Sequence, residues 1–154
     1  MVAVGHSAGG PLALWLAARR SLPSSSPLRI GDPLRIKAAI SLGGLPDLEA
    51  ANTPPGDKCG PGIVPKLVGP PSAERPDVYA DTSPAVLPQP LIPVTLVNGD
   101  ADPIVPPVVT TAYIARTGSK ARVVTLPEQG HVELITPGTR AWNAIVPLIE
   151  SALR

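Results

Sequence analysis

The stretch Val2-Ala3-Val4-Gly5-His6-Ser7-Ala8-Gly9-Gly10 decides the fold of this chain, because it joins a short apolar segment to a serine set between glycines. The helix-compatible sequence Pro11-Leu12-Ala13-Leu14-Trp15-Leu16-Ala17-Ala18 follows at once. A Gly-x-Ser-x-Gly sequence between a strand and a helix is typical of a sharp turn with a strained serine. We expect Gly5 and Gly9 to prevent a collision across that turn. Ser7 would then lie at a helix N-terminus, where the helix dipole favours negative charge.

Two later loops carry polar residues, and each loop follows an apolar, strand-like segment. Asp100 and Asp102 come after residues 92–98, and His131 comes after residues 122–126. Open parallel sheets build their sites at the carboxyl ends of the strands, so these side chains are expected near Ser7. The order serine, aspartate, histidine along the chain differs from the orders in chymotrypsin-like and subtilisin-like enzymes.

With these three motifs in this order, the chain resembles the α/β-hydrolase superfamily, and most of all its small carboxylesterases, dienelactone hydrolases and kynurenine formamidases. The matching segments are Gly5-His6-Ser7-Ala8-Gly9-Gly10, Ala80-Asp81-Thr82-Ser83-Pro84, Gly99-x-x-Asp102-x-x-Val105-Pro106 and Gly130-His131-Val132-Glu133-Leu134. The resemblance covers nearly the whole chain, but only the carboxyl-terminal half of the family's domain. The strands that precede the serine turn in the family have no counterpart here, nor does the loop that supplies a second oxyanion donor.

The resemblance implies a catalytic triad. Ser7 is the expected nucleophile, and His131 is the expected general base that takes its proton. The family pattern selects Asp102 as the acid that orients the imidazole, whereas Asp100 is the neighbouring alternative. Asp100 can equally be a turn residue that closes the loop after Gly99.

The same resemblance implies a substrate site around the serine. The amide of Ala8 is the expected oxyanion donor, and His6 and Gly9 are expected to border the substrate. The implied reaction is hydrolysis of small carboxylic esters through an acyl-enzyme, with no cofactor. Two alternatives stay open: an amide or formamide hydrolase, and an inactive or weakly active remnant with an assembly or binding role.

The apolar pattern predicts an α/β fold with about four parallel strands and flanking helices, lacking the usual amino-terminal strands. Continuous apolar runs in the strands indicate burial on both faces of the sheet, and alternation with helices indicates parallel pairing. The predicted elements are strands at about 2–5, 36–42, 92–98 and 122–126, with helices at 8–20, 107–117 and 138–153. In the last helix, Thr136 and Pro137 are the expected cap and first-turn residue. Pro147 is expected to kink or break that helix.

Proline dominates one part of the chain. The sequence has 22 prolines in 154 residues, and many of them fall in a Pro/Gly-rich excursion at about 52–91. Such a segment cannot be a long helix or a central strand. We interpret residues 1–154 as a single domain in which this excursion is a surface connection, one wall of the substrate pocket, or both.

Composition excludes several classes of function. A formal net charge of +1 without a long basic run gives no reason to expect nucleic acid or a membrane surface as partner. The single cysteine, Cys59, excludes an internal disulfide, and two histidines with one cysteine do not make a metal site. The sequence shows no leader and no apolar run of transmembrane length, so we expect a cytoplasmic protein.

The first strand predicts assembly. Residues 2–4 form an apolar, uncharged strand that has no expected neighbour on one side, and such edges pair readily with other chains. We therefore expect a homodimer or a higher even-numbered oligomer.

Overall fold

Four strands pair in parallel, in chain order, in the computed structural model, which describes residues 1–60 and 62–154. The strands are β1 (Val2–His6), β2 (Ala38–Leu42), β3 (Val94–Gly99) and β4 (Arg122–Leu126). Every neighbouring pair is parallel, with Val2 opposite Ala38 and Thr95 opposite Arg122. The predicted four-stranded parallel sheet is therefore confirmed.

Helices connect and follow these strands. The four α-helices are α1 (Gly9–Ala18), α2 (Ile63–Val68), α3 (Pro107–Thr117) and α4 (Arg140–Leu153). Short 3-10 turns occupy Arg19–Ser21, Ala50–Asn52, Gly56–Cys59 and Val132–Ile135. In the described part of the chain, no helix has both the length and the apolar composition needed to cross a bilayer.

The core lies on both faces of the sheet. Every residue of β2 is buried, as expected for a strand covered on both sides. On one face, Ile40 and Val97 pack with Ile145 of α4. On the other face, Leu96 packs with Leu14 of α1 and Tyr113 of α3. Because Leu96 and Val97 are consecutive in β3, their side chains point to opposite faces and reach the two helical layers.

Helix α4 does not begin where the sequence predicted. Thr139 is the N-cap, and its hydroxyl accepts a hydrogen bond from the Trp142 amide at 3.1 Å. The expected cap, Thr136, instead donates its hydroxyl to the Val132 carbonyl at 2.7 Å. The prediction that Thr136 and Pro137 start the helix is therefore wrong, because Thr136 caps the end of the preceding 3-10 turn.

Pro147 does not break α4, which runs without interruption from Arg140 to Leu153. Proline removes one amide from the helical ladder and leaves the carbonyl four residues earlier without its partner. That residue is Asn143, and both Asn143 and Pro147 are exposed, so water can solvate the freed carbonyl. Because this side of α4 faces solvent, Pro147 destabilises the helix less than a buried proline would.

Strand β1 is an edge. It pairs only with β2 in the described structure, and the Val4 side chain is 41% exposed. The Ser7 amide donates to the Leu42 carbonyl at 2.9 Å. Residues of a parallel strand address its two neighbours alternately, so the backbone groups of Val2, Val4 and His6 face away from β2.

Candidate active site

Ser7 lies in a strained turn between β1 and α1. Its φ angle is 52°, in the left-handed region that side chains other than glycine rarely adopt. Two backbone hydrogen bonds hold it there: its amide donates to the Leu42 carbonyl at 2.9 Å, and its carbonyl accepts from the Gly10 amide at 2.9 Å. Strain of this kind concentrates at functional sites, where the surrounding structure maintains it.

The glycines of the turn have unequal roles. A Cβ atom on Gly5 would lie 1.9 Å from the Gly9 carbonyl oxygen, so Gly5 is required for the close approach. A Cβ on Gly9 would meet nothing within 4 Å, so the expectation that Gly9 prevents a collision is wrong. Gly10 is the second crowded position, because its Cβ would lie 2.5 Å from Ser41 Oγ and 2.6 Å from Gly44 Cα. Helix α1 therefore leaves the turn in direct contact with the segment that follows β2.

His131 and Asp102 form a buried pair. Nδ1 of His131 lies 2.7 Å from Oδ2 of Asp102, and the side chains are 7% and 0% exposed. The other oxygen of Asp102, Oδ1, accepts from the Ile104 amide at 2.8 Å and from the Val105 amide at 2.9 Å. The carboxylate is thus fixed on both sides, and a neutral His131 oriented this way carries its proton on Nδ1 and leaves Nε2 free to accept.

The neighbouring acid has a different location. Asp100 is exposed, and its Oδ1 accepts from the Glu128 amide at 2.6 Å. Glu128 has a φ angle of 58°, so this bond holds a left-handed turn after β4. The structure therefore brings Asp102 to His131, whereas Asp100 closes the adjoining turn.

His6 joins the serine turn to the histidine loop. Its ring centroid lies 4.5 Å from that of His131, and its Nε2 donates to the His131 carbonyl at 3.0 Å. Burial lowers the pKa of His6 by more than its hydrogen bond to the His131 carbonyl raises it, so the neutral form is favoured. Because a carbonyl only accepts, the neutral His6 carries its proton on Nε2.

Ser7 and His131 lie on adjacent parts of the site without a direct bond. Among the described residues, no hydrogen bond joins the Ser7 hydroxyl to the His131 ring. The ring packs instead over Gly43, where a Cβ would lie 3.1 Å from His131 Nδ1. Gly43 directly follows Leu42, the residue that binds the Ser7 amide. Sequence reasoning did not single out Gly43, although it follows a buried strand, as Asp100 does.

Ala8 supplies the remaining element of the site. It is the exposed N-cap of α1, with helical dihedral angles, and its side chain makes no capping bond. Outside the helices and strands, the Ala8 amide donates no hydrogen bond to a backbone carbonyl of the described residues. Its N–H is therefore available at the helix N-terminus. Gly9, the other residue expected beside the substrate, follows in open space.

Comparison with known proteins identifies the fold. No family model and no curated protein matches the sequence. Among solved structures, the chain is similar to Thermogutta terrifontis esterase 2 phosphoramylated by tabun, with 19% identity and a TM-score of 0.67 over 99% of this chain and 53% of that one. The butyrate-bound form of the same planctomycete esterase gives 20% identity and a TM-score of 0.66, over 99% of this chain and 55% of that chain. A truncated carbohydrate esterase from gut microbiota gives 23% identity and a TM-score of 0.60, over 98% and 59%.

These structures and the parallel sheet define the class: the chain has an α/β-hydrolase fold, with four parallel strands and flanking helices. It spans about half the length of the esterases that it matches. At these identities the likeness shows the fold alone, so the activity has to be argued from the residues of the site.

Proposed function

We propose that this protein is a serine hydrolase that cleaves small carboxylic esters, with Ser7, His131 and Asp102 as its triad. The observation that carries the proposal is the strained Ser7 at the end of β1, next in the chain to His6, whose ring lies 4.5 Å from the His131 ring that Asp102 holds through Nδ1. Backbone strain of this kind costs free energy and is found mainly at functional sites, and a buried carboxylate is costly unless it is paired and hydrogen-bonded.

In this mechanism the Ser7 hydroxyl oxygen attacks the acyl carbon, and its proton moves to Nε2 of His131. The Nδ1 proton of His131 stays on its bond to Asp102, which stabilises the imidazolium. The imidazolium then gives its proton to the departing alkoxide, and the alcohol leaves. Water repeats the sequence: its proton goes to His131, its oxygen attacks the acyl-enzyme, and Ser7 recovers a proton as the carboxylic acid departs.

The reaction needs a hydrogen bond between the Ser7 hydroxyl and the His131 ring, which is not present among the described residues. Catalytic hydrogen bonds are often long before substrate binds and tighten in the complex. The Ala8 amide supports the proposal as a donor to the oxyanion. Removing one oxyanion donor typically costs about 100- to 1,000-fold in turnover, so the Ala8 amide is expected to contribute by about that factor.

The experiment compares wild type with Ser7→Ala on p-nitrophenyl butyrate, a choice supported by the butyrate-bound esterase of the same fold. A true nucleophile loses activity by orders of magnitude, so a residual rate above about a tenth of wild type contradicts the assignment. A fluorophosphonate probe, followed by peptide mass spectrometry, should label Ser7 in the wild type. An unlabelled wild type that does not hydrolyse the ester would favour the inactive remnant instead.

We also propose that two copies of the chain pair through the free edge of β1. The outward backbone N–H and C=O groups of Val2 and Val4 form a short hydrogen-bonding edge beside the exposed Val4 side chain, and an identical strand can pair with it across a two-fold axis. Light scattering after gel filtration should show a dimer or a higher even-numbered oligomer. Val4→Asp, at the exposed valine of β1, should dissociate it, while Val108→Asp, at an exposed valine on α3, should not. A folded, active species of 15.8 kDa contradicts the proposal.

A further inference from the structure

A small apolar cavity adjoins helix α1. It has a volume of about 190 Å³ and lies between Pro11, Leu12 and Trp15 of α1 and Leu67 of α2, with Leu28 at its border. Neither Ser7 nor His131 contributes to its walls, so any relation to the candidate site depends on α1 itself.

The cavity has an exposed rim and a buried floor. Leu12, Leu28 and Leu67 are 48%, 36% and 43% exposed, whereas Leu48 and Val68 beneath them are 3% and 7% exposed. Three leucines that converge around an opening leave apolar surface in water, which a bound apolar group would cover. The lining identifies the ligand chemistry as aliphatic.

Helix geometry connects this cavity to the candidate oxyanion donor. Ala8, Pro11, Leu12 and Trp15 have the spacing i, i+3, i+4 and i+7, so they follow one face of the helical turn that begins at Ala8. At 1.5 Å per residue, Leu12 lies ~6 Å and Trp15 ~10 Å along the axis from Ala8. A group that starts at Ser7 and follows this face of α1 therefore runs towards the cavity.

A buried ionic cluster fixes the cavity walls. The Trp15 Nε1–H donates to the Asp81 carbonyl at 2.7 Å, and the Ser26 hydroxyl donates to Asp81 Oδ2 at 2.7 Å. Arg75 donates to Asp81 Oδ1 at 2.6 Å and to the Val68 carbonyl at 3.1 Å. The proline-rich excursion is thus tied to α1, so the cavity is a built feature of the fold.

We propose that this cavity binds the acyl chain of the substrate and selects linear acyl groups of about eight carbons. The inference rests on the proposed hydrolase function. From carbon–carbon bonds near 1.5 Å, an extended chain advances ~1.25 Å per methylene, so a butyryl chain stops before Leu12 and an octanoyl chain reaches towards Trp15. Full burial of a methylene is worth about fourfold in kcat/KM, or about 0.8 kcal/mol.

The first test measures kcat/KM on p-nitrophenyl octanoate and butyrate, and uses their ratio as the readout. Wild type should favour octanoate by about tenfold in kcat/KM. This preference is smaller than the one that four fully buried methylenes would give. Leu12→Trp fills the cavity mouth and should reduce the ratio at least fivefold. Leu153→Trp, at an exposed leucine on α4 (54%), should leave the ratio unchanged.

The second test needs no turnover. In a Trp142→Phe background Trp15 is the sole tryptophan, so its emission should shift with sodium octanoate and not with acetate. Octanoate binding without any ester hydrolysis would keep the cavity assignment and reject the hydrolase. Hydrolysis with a ratio near one, or a ratio lowered equally by both tryptophan variants, would overturn the cavity assignment. A preference that follows the alcohol chain of alkyl acetates would overturn the acyl assignment.

Discussion

Gly5→Ala tests the geometry of the serine turn without reference to activity. The added methyl carbon would lie 1.9 Å from the Gly9 carbonyl oxygen, whereas ordinary contacts begin at 3.4 Å, so the backbone must separate by 1.5 Å. Forcing an atom into such a site costs about 3 kcal/mol. The loss of unfolded-state entropy returns about 0.7 kcal/mol, so the net destabilisation is about 2 kcal/mol. For a chain of this length, that lowers Tm by roughly 4–8 °C.

Gly9→Ala is the matched control, two residues into the same motif from Ser7. Its methyl group would meet nothing within 4 Å, and alanine is the better residue at the start of a helix. We expect a gain of about 0.5–1 kcal/mol and a small rise in Tm. Thermal and urea unfolding, followed by circular dichroism, measure both variants. Equal stability of the two variants, or a Gly9→Ala protein less stable than Gly5→Ala, would refute the turn geometry.

Two further predictions concern the site. Asp102→Asn should lower the turnover of p-nitrophenyl butyrate by about four orders of magnitude, since the amide favours the wrong tautomer of His131. Asp100→Asn keeps an acceptor for the Glu128 amide and should lower turnover by less than about threefold. A larger loss in Asp100→Asn than in Asp102→Asn would assign the acid role to Asp100. Burial lowers the pKa of His6 in the folded state, so the unfolded state binds the proton more readily and acidification below about pH 6.5 reduces stability. His6→Gln should flatten this acid-side decline in Tm, and parallel curves for the two proteins would contradict it.

The elements of the fold were largely predictable because each rests on a local pattern. Residues 107–117 and 122–126 are helix and strand as predicted, since an apolar run or a helical period is stronger there than any competing signal. The cap of α4 was not predictable. Thr136 and Thr139 are equivalent candidates in sequence, and the choice depends on hydrogen bonds from both hydroxyls to the preceding 3-10 turn.

The glycines show the same limit at the site. The motif predicts that small residues are needed, but only the packing of α1 against the segment after β2 shows that Gly10 is crowded and Gly9 is not. The apolar cavity was unpredictable for a similar reason. Its walls come from five separate stretches of the chain, several of which the Asp81 cluster joins, and no local sequence pattern predicts such long-range contacts.

The two halves of the candidate site differ in mechanical support. Asp102 and His131 follow β3 and β4, and the bonds from the Ile104 and Val105 amides fix the pair within its own loops. Ser7 follows β1, which pairs only with β2 among the residues that the structure describes, so small shifts of this edge strand move Ser7 relative to His131. We expect a second copy paired at this edge to restrain β1, and with it the distance between Ser7 and His131. Assembly and turnover should then change together when the exposed Val4 is replaced by aspartate.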